Sequence, residues 1–230
     1  MSKTAILVDG GYYRRLVKDD WGKYSPEESA DALVGYCRRH LKEGSIEHEL
    51  YRIFYYDCPP LNKQVYEPFS GKSYDLGKTE EFSRMTSFLS CLKKKRKVAL
   101  RMGKLSDYGI NYTLTYDAVK KICNGSLTKE DLNQTHFQLN TLQKGVDMKI
   151  GIDIASLAYK KQVDQIVLIA GDSDFVPVLK LARREGLDVI LDPMGRRMSE
   201  EGDLFEHIDG LRSCGSPYHK NNKKKSHFDI

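Results

Sequence analysis

Short aliphatic runs that stop at a carboxylate alternate with stretches of helical periodicity along this chain. Thr4 to Val8 runs into Asp9-Gly10-Gly11, and Glu49 to Asp57 is rich in strand formers before Cys58-Pro59-Pro60 forces an extended exit. Val98 to Leu105 is a third run, Ile166 to Ala170 a fourth, and Leu187 to Asp192 a fifth, stopped by Pro193. The Ile166 run ends abruptly in Gly171-Asp172-Ser173-Asp174. Unbroken apolar runs of this length predict strands buried on both faces. Between them lie helices. One starts near Tyr12. A second opens on Ser25-Pro26-Glu27-Glu28, a capping box with proline at the first helical position, and is expected to reach Glu43. Its stripe includes Leu33, Tyr36, Cys37 and His40, and His40 reads as a packed, hydrogen-bonded histidine. Further helices are expected over Glu80–Lys97, Lys144–Lys161, Phe175–Arg184 and, briefly, Leu204–Ile208.

Strands alternating with helices predict an α/β fold with a mainly parallel central sheet and helices on both faces. Two stretches break the alternation. Leu61–Lys78 is polar and long, so it reads as a functional loop or flap. Asp107–Gln143 offers a helix at Tyr116–Cys123 and a cap for another at Thr128. The expected organisation is one domain over 1–212 with an insertion around 61–140, then a basic, disordered tail over 213–230.

Composition narrows the class. The chain has 230 residues, 40% hydrophobic and 30% charged, and no apolar run near the roughly 20 residues that span a bilayer. A soluble cytoplasmic protein without membrane partners is expected. Five widely spaced cysteines with no C-x-x-C disfavour a zinc site or a disulfide framework. The net charge of +5 sits mostly at the end: Leu211–Ile230 holds five bases against one acid, leaving about +1 for the other 210 residues. The lysine tail suits salt-sensitive contact with nucleic acid; the rest needs local patches.

Right-handed crossovers place Asp9, Asp172 and Asp174 at one sheet edge, where α/β sheets bind ligands. Asp147, in the first turn of the helix feeding back onto the sheet, can reach them. Asp9, Asp172 or Ser173, and Asp147 could each serve only as a helix cap. Together, on three separate elements, they favour a shared acidic site. Crowded carboxylates raise one another's pKa unless a cation compensates. With no histidine or cysteine nearby, Mg2+ or Mn2+ is the expected metal, held by Asp9, Asp147, Asp172 and Asp174, and phosphoryl chemistry is the expected use. Asp153 lies about 600° round the helix from Asp147, off its face, and reads as structural.

Asp9-Gly-Gly, Lys144-Gly-Val-Asp147 and Ala170-Gly-Asp-Ser-Asp-Phe175 before Gly186-x-x-Val189 resemble the NYN domain of the PIN-like nucleases, and within it the bacterial LabA-like branch. The resemblance follows the chain in order, weakest over Leu61–Asn140. It implies a Rossmann-like PIN fold and metal-dependent RNA cleavage with Asp9, Asp147, Asp172 and Asp174 as catalytic residues. The family commonly carries an asparagine shortly after the first aspartate; here that region holds Tyr12 and Tyr13.

The expected substrate is single-stranded or loop RNA, cut internally. Arg14, Arg15, Arg101, Lys104 and Lys144 are candidate phosphate contacts. Tyr12, Tyr13, Tyr66, Tyr74, Tyr108 and Tyr112 are candidate stacking surfaces for unpaired bases. The competing reading is a noncatalytic RNA-binding or regulatory scaffold. A phosphatase with an aspartyl nucleophile is disfavoured, because Asp9-Gly-Gly lacks a second aspartate two positions on. Both main readings allow a homodimer.

Overall fold

A computed structural model describes residues 2–105, 110–141, 143–199 and 202–218. The central sheet has six parallel strands: β1 (Lys3–Asp9), β2 (Glu49–Asp57), β5 (Val98–Met102), β10 (Gln165–Ile169), β11 (Asp188–Asp192) and β12 (Gly210–Leu211). Their order is β12-β11-β10-β1-β2-β5. The chain winds outward from β1 through β2 to β5, then returns to the other side of β1 for β10, β11 and β12. The winding therefore reverses between β1 and β10. The crevice outside the carboxyl ends at such a reversal is where open α/β sheets bind ligands.

Helices cover both faces. On one side α1 (Gly10–Leu16), α2 (Pro26–Arg39) and α3 (Glu80–Lys94) pack Tyr13, Leu33, Tyr36, Phe88 and Leu92 onto Ile6, Val8, Ile53 and Val167. On the other, α5 (Val146–Tyr159) and α6 (Val176–Arg184) pack Ile150, Ile154, Leu157 and Leu179 onto Ala5, Leu7, Leu168 and Leu191. Successive β1 residues serve the two cores alternately, which explains why Ala5 to Val8 has no polar position. Full burial of each such side chain contributes about 2 kcal/mol.

The expected capping box is present: Ser25 Oγ accepts from Glu28 N, and Glu28 accepts from Ser25 N. The helix is shorter than expected. It ends at Arg39, because His40 turns inward to Asp192, and a small hairpin follows at Lys42–Glu43 and Ile46–Glu47.

Leu61–Lys78 is no bare loop. It holds a hairpin of β3 (Gln64–Glu67) and β4 (Lys72–Asp75), whose turn is fixed by the Glu67 carboxylate accepting from Phe69 N and Ser70 N. The run expected over Val98–Leu105 breaks at Gly103. Its close approach to Lys144 O, 2.8 Å from where a Cβ would sit, leaves no room for a side chain. Beyond it β6 (Lys104–Leu105) pairs with β9 (Gln143–Lys144), and β7 (Asn111–Leu114) pairs with β8 (Phe137–Asn140). The insertion thus leaves and re-enters the core as antiparallel pairs beside α5. Helix α4 (Tyr116–Cys123) lies where expected, but no helix begins at Thr128: Asp131 instead accepts from Thr128 N and Oγ1 in a tight turn, and a single 3-10 turn follows at Gln134–His136.

Residues 213–218, read from the sequence as tail, pack on the core. Ser213 Oγ donates to Asp192, Arg39 to Ser216 O, and Tyr218 stacks on Tyr24. The rest of the expected tail, with Lys220 and Lys223–Lys225, lies outside the described residues. Among the described residues no helix is long and apolar enough to cross a membrane.

Candidate active site

Four neighbouring strands lead to aspartates at the carboxyl edge: Asp192 at the end of β11, Asp172 just past β10, Asp9 at the end of β1 and Asp57 at the end of β2. Their surroundings sort them into two kinds.

Asp57 and Asp192 are fully buried and saturated. Asp57 receives Arg14 in two-pronged fashion at 3.0 and 2.9 Å, the Tyr55 hydroxyl at 2.8 Å and Cys58 N at 2.7 Å. Asp192 is bonded to His40 Nε2 at 2.8 Å and accepts from Tyr36 Oη, Ser213 Oγ and Met194 N. Every lone-pair direction is engaged, so these groups hold the edge together and are closed to a ligand. Asp153 is partly buried and also committed, its Oδ2 accepting from Tyr56 Oη and Arg101 Nε at 2.8 Å each. Its structural reading fits, and it occupies Arg101, one of the expected phosphate contacts.

Asp9, Asp147, Asp172 and Asp174 differ. Asp9 is half-buried and the other three are exposed. None has an ion pair with a lysine, arginine or histidine among the described residues. Asp9 does cap α1, accepting from Tyr12 N at 3.0 Å, and Asp172 caps the turn before α6, accepting from Asp174 N at 3.1 Å. Both bonds use only Oδ1. Asp147 caps nothing, because Gly145, at φ 78°, begins α5 with no side-chain cap.

Burial pushes the Asp9 carboxyl above its usual range, the Tyr12 and Gly11 amides oppose this, and the charges of Asp147 and Asp57 reinforce it. Burial also raises Asp147, and Asp172 and Asp174 raise it further. Asp147 therefore shares charge effects with all three of the others. The four do not close into one cage: among the described residues no three Asp, Glu, His or Cys side chains stand close enough to hold a metal ion by themselves. Mutual repulsion on separate backbone elements accounts for the spacing. The donor set still suits a hard cation that keeps several waters and takes one or two carboxylates, as Mg2+ does. Carboxylates without a cation partner, with Asp9 and Asp147 raised by burial and by neighbouring charge, are the feature that fits it.

The glycines flanking this edge are packing requirements. A Cβ on Gly10 would lie 2.6 Å from Asp57 Oδ2, and one on Gly171 would lie 2.5 Å from the Tyr12 ring. Tyr12 is buried against that glycine, with its hydroxyl donating to Pro193 O at 2.9 Å. It ties α1 to the loops after β10 and β11. Tyr12 and the wholly buried Tyr13 thus present no free face to a base, contrary to expectation.

The remaining expected substrate residues divide in the same way. Arg14 is committed to Asp57, whereas Arg15 is exposed, its guanidinium 5.5 Å over the Tyr12 ring. Lys104 and Lys144 are exposed and stand directly opposite each other in the β6–β9 pair. Tyr66 and Tyr74 are exposed on the β3–β4 hairpin, and Tyr112 is half-buried. Tyr108 lies outside the described residues.

Two neighbours escaped the sequence reading. Gln143 Oε1 lies 3.8 Å from where a Gly11 Cβ would sit, with Asp9 Oδ1 3.4 Å from the same point. An amide thus stands over the Asp-Gly-Gly turn from a strand 134 positions away, and no local motif announces it. Arg196, in the turn after β11, stands near Tyr12; its one sequence signal is an Arg-Arg pair following Pro193-Met-Gly.

A doubly wound α/β domain with unpaired carboxylates at its reversal point is the class that the fold and the site define. The NYN domain profile matches residues 79–201, more than half of the chain, and the protein belongs to the NYN domain family. NYN domains are PIN-like and generally nucleases, and PIN-like nucleases usually need a divalent metal. The match takes in Asp147, Asp172 and Asp174 and begins after β1, so Asp9 joins them on geometry. A crystal structure of a protein of unknown function, VPA0982, from Vibrio parahaemolyticus RIMD 2210633 is similar over 91% of both chains, with 15% identity and a TM-score of 0.43. No curated protein matches.

Proposed function

We propose that this protein is a metal-dependent endoribonuclease that cuts single-stranded or loop RNA at the Asp9, Asp147, Asp172 and Asp174 cluster. The observation that carries this reading is the set of four carboxylates without a cation partner, beside two saturated ones that show what a structural aspartate looks like here. Asp9, Asp147 and Asp172 are the residues that would hold Mg2+ or Mn2+. When bound, the ion supplies positive charge for the phosphate and lowers the pKa of a water. Asp174, exposed at the mouth of the loop, also binds the ion or accepts a proton-side hydrogen bond from the attacking water and orients it. Lys104 and Lys144 face each other across one register position, an arrangement that is unfavourable unless an anion lies between them. They are the phosphate contacts on the insertion side. The LabA-like branch remains our assignment within the family, and a cytoplasmic, RNA-handling role goes with it.

A noncatalytic RNA-binding scaffold is the second reading, favoured by the buried Tyr12 where relatives commonly place an asparagine and by the open spacing of the acids. Incubation of the purified protein with a fluorogenic single-stranded RNA separates the two. The nuclease reading predicts cleavage that needs Mn2+ or Mg2+ and stops in EDTA; binding of the same RNA with no metal-dependent cleavage supports the scaffold.

A further inference from the structure

A second cationic group lies across the acidic cluster from Lys104 and Lys144. Tyr12 Oη and Arg196 N both donate to Pro193 O, at 2.9 and 3.1 Å, so the turn after β11 is fastened onto α1. Arg15 lies over the ring of the same tyrosine. Arg196 and Arg15 thus flank one tyrosine, the first through the Pro193 turn and the second over its ring. Both are exposed, and neither has a carboxylate partner among the described residues. Arg14, one position before Arg15, shows the contrast: it is neutralised inside the fold.

The sheet order sets the geometry. The Arg196 turn follows β11, whereas Lys104 follows β5, and β10, β1 and β2 lie between. Four strand spacings make roughly 19 Å. That exceeds what one nucleotide covers, since each phosphate of a duplex strand accounts for only about 3.4 Å of helix axis. The cluster of Asp9, Asp147, Asp172 and Asp174 lies in the middle of the span.

We propose that Arg15 and Arg196, held around Tyr12, form a second phosphate subsite, so that the RNA is gripped on both sides of the acidic cluster and the ligand class is an oligonucleotide, with mononucleotides excluded. The subsite rests on the nuclease reading. It gives Tyr12 a positioning role: the ring that cannot meet a base sets two cations for the backbone. It also gives internal cleavage a physical basis, because a chain end would leave one grip empty.

The test is fluorescence anisotropy of a labelled 12-nucleotide single-stranded RNA with the full chain in EDTA, over a range of salt. Arg15→Ala/Arg196→Ala is expected to weaken binding about tenfold and to lower the salt slope by about 1.4, the value for two contacts on a single strand. Lys104→Ala/Lys144→Ala is expected to do the same. Lys180→Ala/Arg184→Ala, beside an open groove of about 760 Å³ at the opposite edge of the sheet, is expected to leave binding unchanged. Equal melting temperatures show that the variants are folded, and Arg15→Lys/Arg196→Lys is expected to restore most of the slope. A wild-type protein that cleaves RNA while Arg15→Ala/Arg196→Ala binds with unchanged affinity and slope overturns the subsite alone. A wild-type protein that neither binds nor cleaves the oligonucleotide overturns the nuclease reading and the subsite with it.

Discussion

Asp147→Asn is expected to make the metal-free protein more stable and to lower metal-dependent cleavage by at least about a hundredfold. The two effects have one cause. Asp147 lies in the first turn of α5, where a negative charge ordinarily gains about 0.3–1 kcal/mol from the helix dipole. Its carboxyl is nonetheless raised, by burial first and by Asp172 and Asp174 next, so the unfavourable terms win. A carboxyl raised on folding binds its proton more readily in the folded than in the unfolded chain. Its ionised form therefore weakens the fold at all pH values above the raised pKa, and the penalty fades as pH falls through it. The amide removes that penalty. The melting temperature of Asp147→Asn should exceed that of the wild type by about 1–3 °C at neutral pH. The gain should vanish below pH 3.8, the ordinary value, where the wild-type carboxyl is protonated in both states. A variant less stable than wild type at neutral pH would mean that Asp147 is a structural residue. Sites kept for chemistry at the expense of stability are the usual origin of such a gain.

Arg14→Ala should unfold the protein more easily by about 3–5 kcal/mol, the cost of leaving a buried charge without its partner. Asp57 is wholly buried, and Arg14 supplies two of its hydrogen bonds. Urea unfolding reads the loss directly, and the melting temperature should fall by about 10 °C. Arg14→Lys should recover little of it, because one ammonium cannot reproduce the fork. Replacing both partners by apolar residues should recover only part, since Tyr55 Oη and Cys58 N would lose their acceptor. If Arg14→Ala keeps its stability and loses only affinity for RNA, the arginine belongs to the substrate and the ion pair is incidental.

The contrast between Arg14 and Arg15 shows where sequence reading stops. Both are arginines in the first helix, and both are plausible phosphate contacts. One points down to the end of β2 and the other stays in solvent, and that follows from helix phase relative to a strand forty residues away. The sheet itself was legible, because strands buried on both faces must be apolar at every position, as in Ile6 to Val8 and Ile166 to Ile169. So were α2 and its cap, whose signals are local. The β3–β4 hairpin carried no such signal: it alternates too briefly and is rich in polar residues. The strand-end aspartates were visible, yet strand ends alone do not separate Asp9 from Asp57 or Asp172 from Asp192. What separates them is whether Arg14, Tyr55, His40, Tyr36 or Ser213 arrives from elsewhere in the chain. Tyr12 was misread for a related reason. Its ring is needed against Gly171, and a contact between positions 12 and 171 leaves no trace in local pattern.

Titration calorimetry of Mn2+ into the metal-free protein tests the account most directly, because it asks whether the unpaired carboxylates are a cation site before any substrate is chosen. The account predicts saturable binding to the wild type that is lost in Asp147→Asn and strongly weakened in Asp172→Asn, with both variants folded. Binding that is absent in the wild type, or that is the same in Asp147→Asn, would contradict it.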